Sequence, residues 1–114
     1  MEAGAELNIP VLVLDRPNPI RSDIVEGPIL DLKYRSFVGH YPIPTRYGST
    51  IGELAESIIE HGWIDPVPKL EIIRMEGWQP DAWFDQTDLI WTPPSPNIPD
   101  LETAIIYPLS LIHI

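Results

Sequence analysis

Two polar loops stiffened by prolines carry the side chains best suited to bind or act on a ligand. In the first loop, Asp15, Arg16 and Asn18 follow the apolar run 9–14, which predicts a buried strand. Open α/β sheets bind ligands at the carboxyl ends of their strands. A proline follows Arg16 and another follows Asn18, so the loop would offer a preorganised surface. A solvated turn with an internal Asp–Arg pair is equally consistent with this spacing.

The second loop spans residues 93–99 and has four prolines around Ser95 and Asn97. A hydroxyl and an amide on such a backbone can hydrogen-bond the polar groups of a ligand. Three tryptophans lie within residues 78–91, and a flat indole can stack on a ring of a ligand. Tryptophans at this spacing are more often core residues. We therefore predict one of them, Trp91, in a binding cleft and the other two in packing.

Length and composition exclude several classes of function. The chain has 114 residues, room for one small domain, and a formal charge of −10. Only seven Lys and Arg are present, too few for a basic face, so we expect no nucleic-acid partner. No apolar stretch approaches the roughly 20 residues that cross a bilayer, so no membrane span is predicted. Without cysteine, and with three histidines spaced unlike metal ligands, the sequence suggests neither a metal site nor a cofactor.

The hydrophobic patterns predict an α/β fold. Apolar residues dominate 10–14 and again 70–75, and both segments are typical of strands. Between them, residues 51–60 have the apolar spacing of one helical face. Thr50 and Glu53 form the pattern of a capping box at the start of this helix, which favours a structural role for Glu53.

The remaining segments are predicted to be less regular. Residues 20–44 are loop-rich, with short extended pieces predicted at 27–32 and 35–39. Asp100 is a typical N-cap for a helix that begins at Leu101, and we expect Pro108 to interrupt that helix. The last six residues, 109–114, look like an unfinished segment, which suggests a truncated chain.

Several short motifs support a more specific interpretation. They are Val13-Leu-Asp-Arg-Pro-Asn-Pro, Val25-Glu-Gly-Pro-Ile-Leu, Ser36-Phe-Val-Gly, Tyr41-Pro-Ile-Pro, Thr50-Ile-Gly-Glu-Leu-Ala, Gly77-Trp and Trp91-Thr-Pro-Pro-Ser-Pro-Asn-Ile-Pro. In this order they resemble the exo-β-N-acetylmuramidase family of NamZ type, formerly called DUF1343. The resemblance extends from Ile9 to Pro108 and depends on the set of motifs, because no single one is specific.

The resemblance implies a bacterial glycosidase that removes N-acetylmuramic acid from the non-reducing ends of peptidoglycan fragments in cell-wall turnover. It implies a Rossmann-like amino-terminal domain, a carboxy-terminal α/β domain and a site between them. Residues 1–20 would be the last strand and site loop of the first domain, 21–48 a crossover loop region, and 49–114 part of the second domain. The chain would be a central fragment whose partners are muramyl saccharides and the remainder of its own parent chain. A periplasmic or secreted location is expected for the family.

The resemblance also assigns chemistry to the matched motifs. Glycoside hydrolysis commonly uses two carboxyl groups, and the candidates are Asp15 and Glu26, the latter beside a glycine that permits close backbone approach. Arg16 and Arg46 can bind the lactyl carboxylate of muramic acid, because a guanidinium matches a carboxylate with two parallel hydrogen bonds. The alternative for both arginines is an ion pair with one of the seventeen acids of the chain. The other substrate-binding candidates are Asn18, Trp91, Ser95 and Asn97.

A second function stays open at this stage. Family members usually have Arg-His-Gly before the helix, where this chain has Arg46-Tyr47-Gly48. The upstream family segments rich in Glu, His and Asp have no counterpart in this sequence. Both departures favour a non-catalytic module that binds muramyl saccharides or another partner. The two functions differ in whether the saccharide is cleaved or only bound.

Overall fold

The computed structural model describes residues 1–110, with side chains described as far as Pro108. In chain order, its helices and strands are α1 (Glu2–Glu6), β1 (Val11–Leu14), β2 (Val25–Ile29), β3 (Pro44–Tyr47), α2 (Ile51–Glu60), β4 (Leu70–Ile73) and α3 (Leu101–Ser110). Within residues 1–110, no helix has the length and hydropathy needed to cross a membrane. The predicted unfinished tail spans residues 109–114, of which 111–114 lie outside the described part of the chain.

A parallel strand pair and one helix form the centre of the fold. Strands β1 and β4 run in parallel, from Val11 opposite Leu70 to Leu14 opposite Ile73, and α2 packs against both. Parallel strands joined through a helix are the βαβ arrangement, so the predicted α/β class is confirmed. The pair also joins residues 1–20 to residues 49–114, so the predicted domain boundary at residue 49 would separate two hydrogen-bonded strands. That division stays a prediction.

The start of α2 is determined locally. The N–H of Glu53 donates to Thr50 Oγ1 at 3.2 Å, and the N–H of Thr50 donates to the Glu53 carboxylate at 2.8 Å. This is the predicted capping box, which satisfies two backbone donors at the helix start. Thr50 is only 1% exposed, so the cap is also a packing contact.

The apolar core of the described residues is small. Its buried hydrophobic residues are Ala55 and Ile58 of α2 and Ile64 just beyond the helix. Strand residues alternate between two faces, and α2 covers only one face of the β1–β4 pair. The exposed apolar side chains of these two strands are Leu12, Leu14 and Ile73.

Strands β2 and β3 form a separate antiparallel pair in the region predicted to be loop-rich. Val25 lies opposite Tyr47 and Ile29 opposite Pro44, with an irregularity in between. Gly27 lies in the irregular part at φ +90°, a conformation that glycine adopts most readily. Glycine and proline inside β2 lower its strand propensity, which is why the sequence pattern did not reveal this pair.

Arg46 of β3 anchors the pair to two other segments. Its side chain is only 11% exposed. The guanidinium donates to the Glu26 carboxylate at 2.8 Å and to the carbonyl of Ile20, and it lies 5.6 Å from the ring centroid of Trp83. Arg21 lies 5.7 Å from the centroid of the same ring. Two cations therefore stabilise one indole through its π electrons.

Helix α3 begins as predicted but does not end as predicted. Asp100 accepts hydrogen bonds from the N–H and the hydroxyl of Thr103, at 2.8 and 2.7 Å, and these bonds lower the pKa of Asp100. The expected interruption at Pro108 is wrong, because the helical backbone continues to Ser110. Pro108 lies in the last turn of this helix, where its missing N–H removes one backbone donor.

Gly52 occupies a space that alanine would overfill. A Cβ at this position would lie 2.8 Å from Cγ of Asp15 and 2.9 Å from Cγ2 of Ile72. Replacing glycine by alanine in an open helix stabilises it by about 1 kcal/mol. Here we expect Gly52→Ala to destabilise the chain by about 1–3 kcal/mol, measured by urea unfolding followed through tryptophan fluorescence. Ser57→Ala in the same helix is the control, with a change within about 0.5 kcal/mol; a stabilising Gly52→Ala would contradict the close packing.

Arg46→Gln should loosen the hairpin from the rest of the chain. It removes a charge-assisted hydrogen bond and the contact with Trp83, so we expect a loss of about 1–3 kcal/mol in urea unfolding. The matched control is Arg35→Gln, because Arg35 is exposed and its guanidinium forms hydrogen bonds and ion pairs with Glu2 and His40 at the surface. Its effect should stay within about 0.5 kcal/mol. Equal stability of the two variants would contradict the anchoring role.

Candidate functional site

Two loops meet at the carboxyl ends of the parallel strands. Residues 15–19 follow β1 and residues 74–79 follow β4. The N–H of Asp15 donates to the carbonyl of Ile73 at 2.9 Å, which extends the strand pairing by one residue. Ligands of open α/β sheets bind at this edge. The first proline loop thus lies where the sequence pattern predicted it.

Asp15 joins this edge to α2. Its Oδ2 accepts a hydrogen bond from Thr50 Oγ1 at 2.7 Å, and its Oδ1 accepts from the N–H groups of Gly52 at 2.9 Å and Arg16 at 3.0 Å. The first turn of a helix leaves such N–H groups without helical partners and favours a negative charge nearby. Asp15 therefore contacts Arg16 through the backbone of that residue, whereas the guanidinium stays uninvolved.

Asn18 holds the first loop against the segment before α2. It is 9% exposed. Its Nδ2 donates to the carbonyl of Ser49 at 2.9 Å, and its Oδ1 accepts from the N–H of Ile20 at 3.1 Å. Both ends of the amide are therefore used within the chain. The predicted contact of Asn18 with a substrate stays a prediction.

Arg16 lines three cavities that surround the first loop. Their volumes are about 630, 300 and 250 Å³. Arg16 is exposed, and its guanidinium forms no hydrogen bond or ion pair with any residue of the described range 1–110. Its charge is therefore available to a ligand.

The 630 Å³ cavity combines acidic and aromatic side chains. Asp15, Glu76 and Asp88 contribute carboxylates, and Trp78 and Arg16 contribute an indole and a guanidinium. A few polar groups that converge beside an aromatic surface are typical of a small-molecule site. Across residues 1–110, no group of three acidic or histidine side chains is arranged to hold a metal ion.

The 250 Å³ cavity has a different character. Trp91, Phe84 and Ile90 line it together with three prolines, a leucine and a threonine. Arg16 is the one charged residue of this lining. Trp91 packs edge-to-face on Phe84 with ring centroids 5.1 Å apart, and its indole N–H donates to the carbonyl of Ile98 at 3.4 Å. These contacts orient the apolar wall.

Tyr47 lines the 300 Å³ cavity with Arg16. Burial raises the pKa of its phenol, and the charge of Arg16 opposes this to a smaller extent. Tyr47 is therefore a neutral phenol at neutral pH. A histidine at this position, as the family pattern predicts, would titrate near neutral pH, so the substitution changes the electrostatics of this cavity.

Asn18 lines the 300 Å³ cavity, whereas Ser95, Asn97, Glu26 and Arg46 lie outside these three cavities. Ser95 Oγ accepts a hydrogen bond from the N–H of Asn97 at 3.3 Å, which stabilises the second proline loop internally. Glu26 is 64% exposed and pairs with Arg46. Arg46 lines a separate cavity of about 170 Å³ together with Asn18. The structure thus brings Asp15 and Arg16 together, and places Trp91 beside Arg16.

Some residues of the cavities were missed from the sequence. Glu76 lies three residues after the end of β4, so a search of the loop that follows this strand would have found it. Asp88 lies in an irregular loop and carries no such signal. Trp78 lines the large cavity as Trp91 lines the small one, so two of the three tryptophans, where we expected one, reach a cavity. Trp83 instead has Arg21 and Arg46 over its ring, at 5.7 and 5.6 Å from the centroid.

Comparison with known proteins places these features in a family. The family profile described as "Exo-beta-N-acetylmuramidase NamZ, N-terminal" matches residues 1–102, which include parts of all three predicted segments. The peptidoglycan beta-N-acetylmuramidase NamZ of Bacillus subtilis (strain 168) is 47% identical over 108 residues. The match covers 95% of this chain and 26% of that relative.

Solved structures agree with the sequence comparison. A DUF1343 family protein from Bacteroides fragilis NCTC 9343 superposes with a TM-score of 0.95 at 42% identity, over 99% of this chain and 29% of that protein. A second from the same organism gives a TM-score of 0.84 at 37% identity, over 95% of this chain and 30% of that protein. The chain thus spans about a quarter to a third of each relative. By profile, sequence and fold, it belongs to the exo-β-N-acetylmuramidase NamZ family, formerly called DUF1343.

Proposed function

We propose that this chain forms part of the saccharide-binding cleft of an exo-acting glycosidase that releases N-acetylmuramic acid from non-reducing ends of peptidoglycan fragments. The main support for this proposal is the 630 Å³ cavity at the carboxyl ends of β1 and β4, in a chain of this family. The Bacillus subtilis relative is named a peptidoglycan beta-N-acetylmuramidase. This chain spans 26% of that relative. The activity of the whole protein to which this chain would belong, and its Rossmann-like domain, are therefore part of the proposal.

The lining of the cavity suits the chemistry of a muramyl saccharide. The indole of Trp78 offers a flat apolar face to a sugar ring, and carboxylates accept hydrogen bonds from sugar hydroxyls. The lactyl group of muramic acid adds a negative charge, which a guanidinium binds well. Arg16 and Arg46 are the two arginines predicted for that contact.

Asp15 is the proposed substrate-facing carboxylate. It lines the cavity beside Arg16, and its bonds to Thr50 and Gly52 orient its two oxygens. Glycoside hydrolysis commonly needs a second carboxyl group, and Glu76 and Asp88 line the same cavity. Glu26, predicted for catalysis from its motif, lies outside this cavity.

Non-catalytic binding of muramyl saccharides is the second candidate function. It is favoured by the contacts of the two carboxylates predicted for catalysis. Asp15 accepts three hydrogen bonds within the chain, and Glu26 pairs with Arg46 at 2.8 Å. A carboxylate held in this way is less available for proton transfer to a substrate.

Release of free N-acetylmuramic acid tests the proposed function. The substrate is a disaccharide with N-acetylmuramic acid at its non-reducing end, and the control is a disaccharide with N-acetylglucosamine at that end. The proteins are this chain and a chimera of the Bacillus subtilis relative in which this chain replaces the matching segment. We expect release by the chimera from the first disaccharide only, and none by this chain alone. A chimera with native-like circular dichroism that binds the disaccharide but releases nothing would establish the binding function instead.

Amide variants in the same chimera test the proposed carboxylates. Asp15→Asn should lower turnover by about 10²–10⁴-fold, whereas Glu26→Gln should leave turnover near the wild-type value because it lies outside the cavity. Thr50→Val is the positioning control, since it removes a donor to Asp15 and keeps the carboxylate. It should reduce stability more than turnover. Normal turnover in Asp15→Asn would contradict its role and direct attention to Glu76 and Asp88.

A further inference from the structure

Among the described residues, Arg16 is the arginine whose guanidinium has no acidic partner. The other four arginines form ion pairs: Arg21 with Asp23, Arg35 with Glu2, Arg46 with Glu26 and Arg74 with Glu56. The chain carries seventeen Asp and Glu, yet none of those described pairs with Arg16. In such an acidic chain, an unpaired guanidinium is the group best placed to receive an anionic ligand.

Of the three cavities that Arg16 lines, those of 630 and 250 Å³ differ in the charge of their other lining residues. The 630 Å³ cavity contains three carboxylates, from Asp15, Glu76 and Asp88. An anionic group placed there would be repelled by like charges. The 250 Å³ cavity contains no carboxylate, and apolar side chains such as Trp91 and Ile90 line it together with Arg16. An ion pair is stronger beside apolar surface, because less water screens it.

Resting on the function proposed above, we propose that the 250 Å³ cavity is the subsite for the lactyl group of muramic acid. Arg16 binds the lactyl carboxylate there, and the apolar wall packs against the lactyl methyl group. The neutral sugar ring lies toward the 630 Å³ cavity, where carboxylates meet its hydroxyls. Since Arg16 lines both cavities, it determines which part of the ligand enters each of them.

The backbone of Arg16 is prepared for this role. Its N–H donates to Asp15 at 3.0 Å, and the proline that follows it restricts its backbone angles. The buried amide of Asn18 fixes the loop on the other side. Ordering the loop before binding lowers the entropy lost when the ligand is bound.

The same geometry removes Arg46 from this role. Its guanidinium already contacts Glu26, the carbonyl of Ile20 and the ring of Trp83. A ligand carboxylate would have to displace these contacts from a side chain that is 11% exposed. Arg46 therefore holds the hairpin, and Arg16 selects the ligand.

Equilibrium binding of two monosaccharides to this chain tests the proposal. N-acetylmuramic acid and N-acetylglucosamine differ only by the lactyl group, so their affinity ratio isolates its recognition. We expect wild type, titrated by calorimetry, to bind N-acetylmuramic acid at least about tenfold more tightly. Arg16→Gln should abolish this preference and leave the affinity for N-acetylglucosamine unchanged. Arg16→Lys should keep part of the preference, because it keeps the charge and loses the two-pronged geometry.

Two further variants separate the subsite from general charge effects. Arg35→Gln removes the same charge at a surface outside the cavity and should keep the full preference. Thr92→Glu leaves Arg16 intact and adds a carboxylate to the cavity lining, so it should abolish the preference as Arg16→Gln does. Loss of the preference in either variant with native-like circular dichroism, with Arg35→Gln unchanged, would support the subsite.

The outcomes distinguish this inference from the proposed function. A full preference in Arg16→Gln, or equal affinities of wild type for the two sugars, would overturn the subsite. Release of N-acetylmuramic acid by the chimera would in that case still support the glycosidase. Failure of the chimera to release it, combined with an Arg16-dependent preference in binding, would support the subsite and leave the chain with the binding function alone.

Discussion

The carboxylate of Asp15 is the contact on which the arrangement of this cleft depends. It is the first residue after β1, and it accepts hydrogen bonds from the hydroxyl of Thr50 and the N–H of Gly52 at the start of α2. A negative charge at a helix N-terminus is favourable in both its electrostatics and its hydrogen bonding. The glycine at position 52 is required because a Cβ there would collide with this carboxylate. The strand, the helix and the loop between them are thereby held in one geometry.

The loop that follows β1 is also ordered by internal hydrogen bonds, which leave the guanidinium of Arg16 unused. Asp15 and Asn18 use their polar atoms inside the chain, and the prolines between and beyond them restrict the backbone. Arg16 lies between these fixed residues with its guanidinium free of partners in the described chain. Rigid backbone with a free cation is the arrangement expected of a residue that recognises an anionic ligand, because little entropy is lost on binding.

Polar contacts hold the second strand pair where apolar packing is scarce. The buried hydrophobic residues lie on and just after α2, away from the pair formed by β2 and β3. Arg46 compensates through its bonds to Glu26 and Ile20 and its approach to Trp83. A guanidinium over an indole can contribute about 0.5–2 kcal/mol, depending on exposure. This pair was not predicted, since its residues have low strand propensity and its contacts are distant in sequence.

Sequence patterns alone determined the local features of this protein: the strand after residue 10, the capping box that starts α2, the N-cap at Asp100, the α/β class and the family. Each depends on residues close together in the chain or on motifs in a fixed order. Tertiary structure alone decided that Asp15 bonds to the start of a helix 35 residues away and that Glu26 pairs with Arg46. It also decided that the guanidinium of Arg16 has no acidic partner among the described residues and that Arg16 lines cavities of unlike charge. The reason is physical: a charged or amide side chain has the same capacity to bond a ligand or a neighbour, and only folding determines which neighbours are within reach.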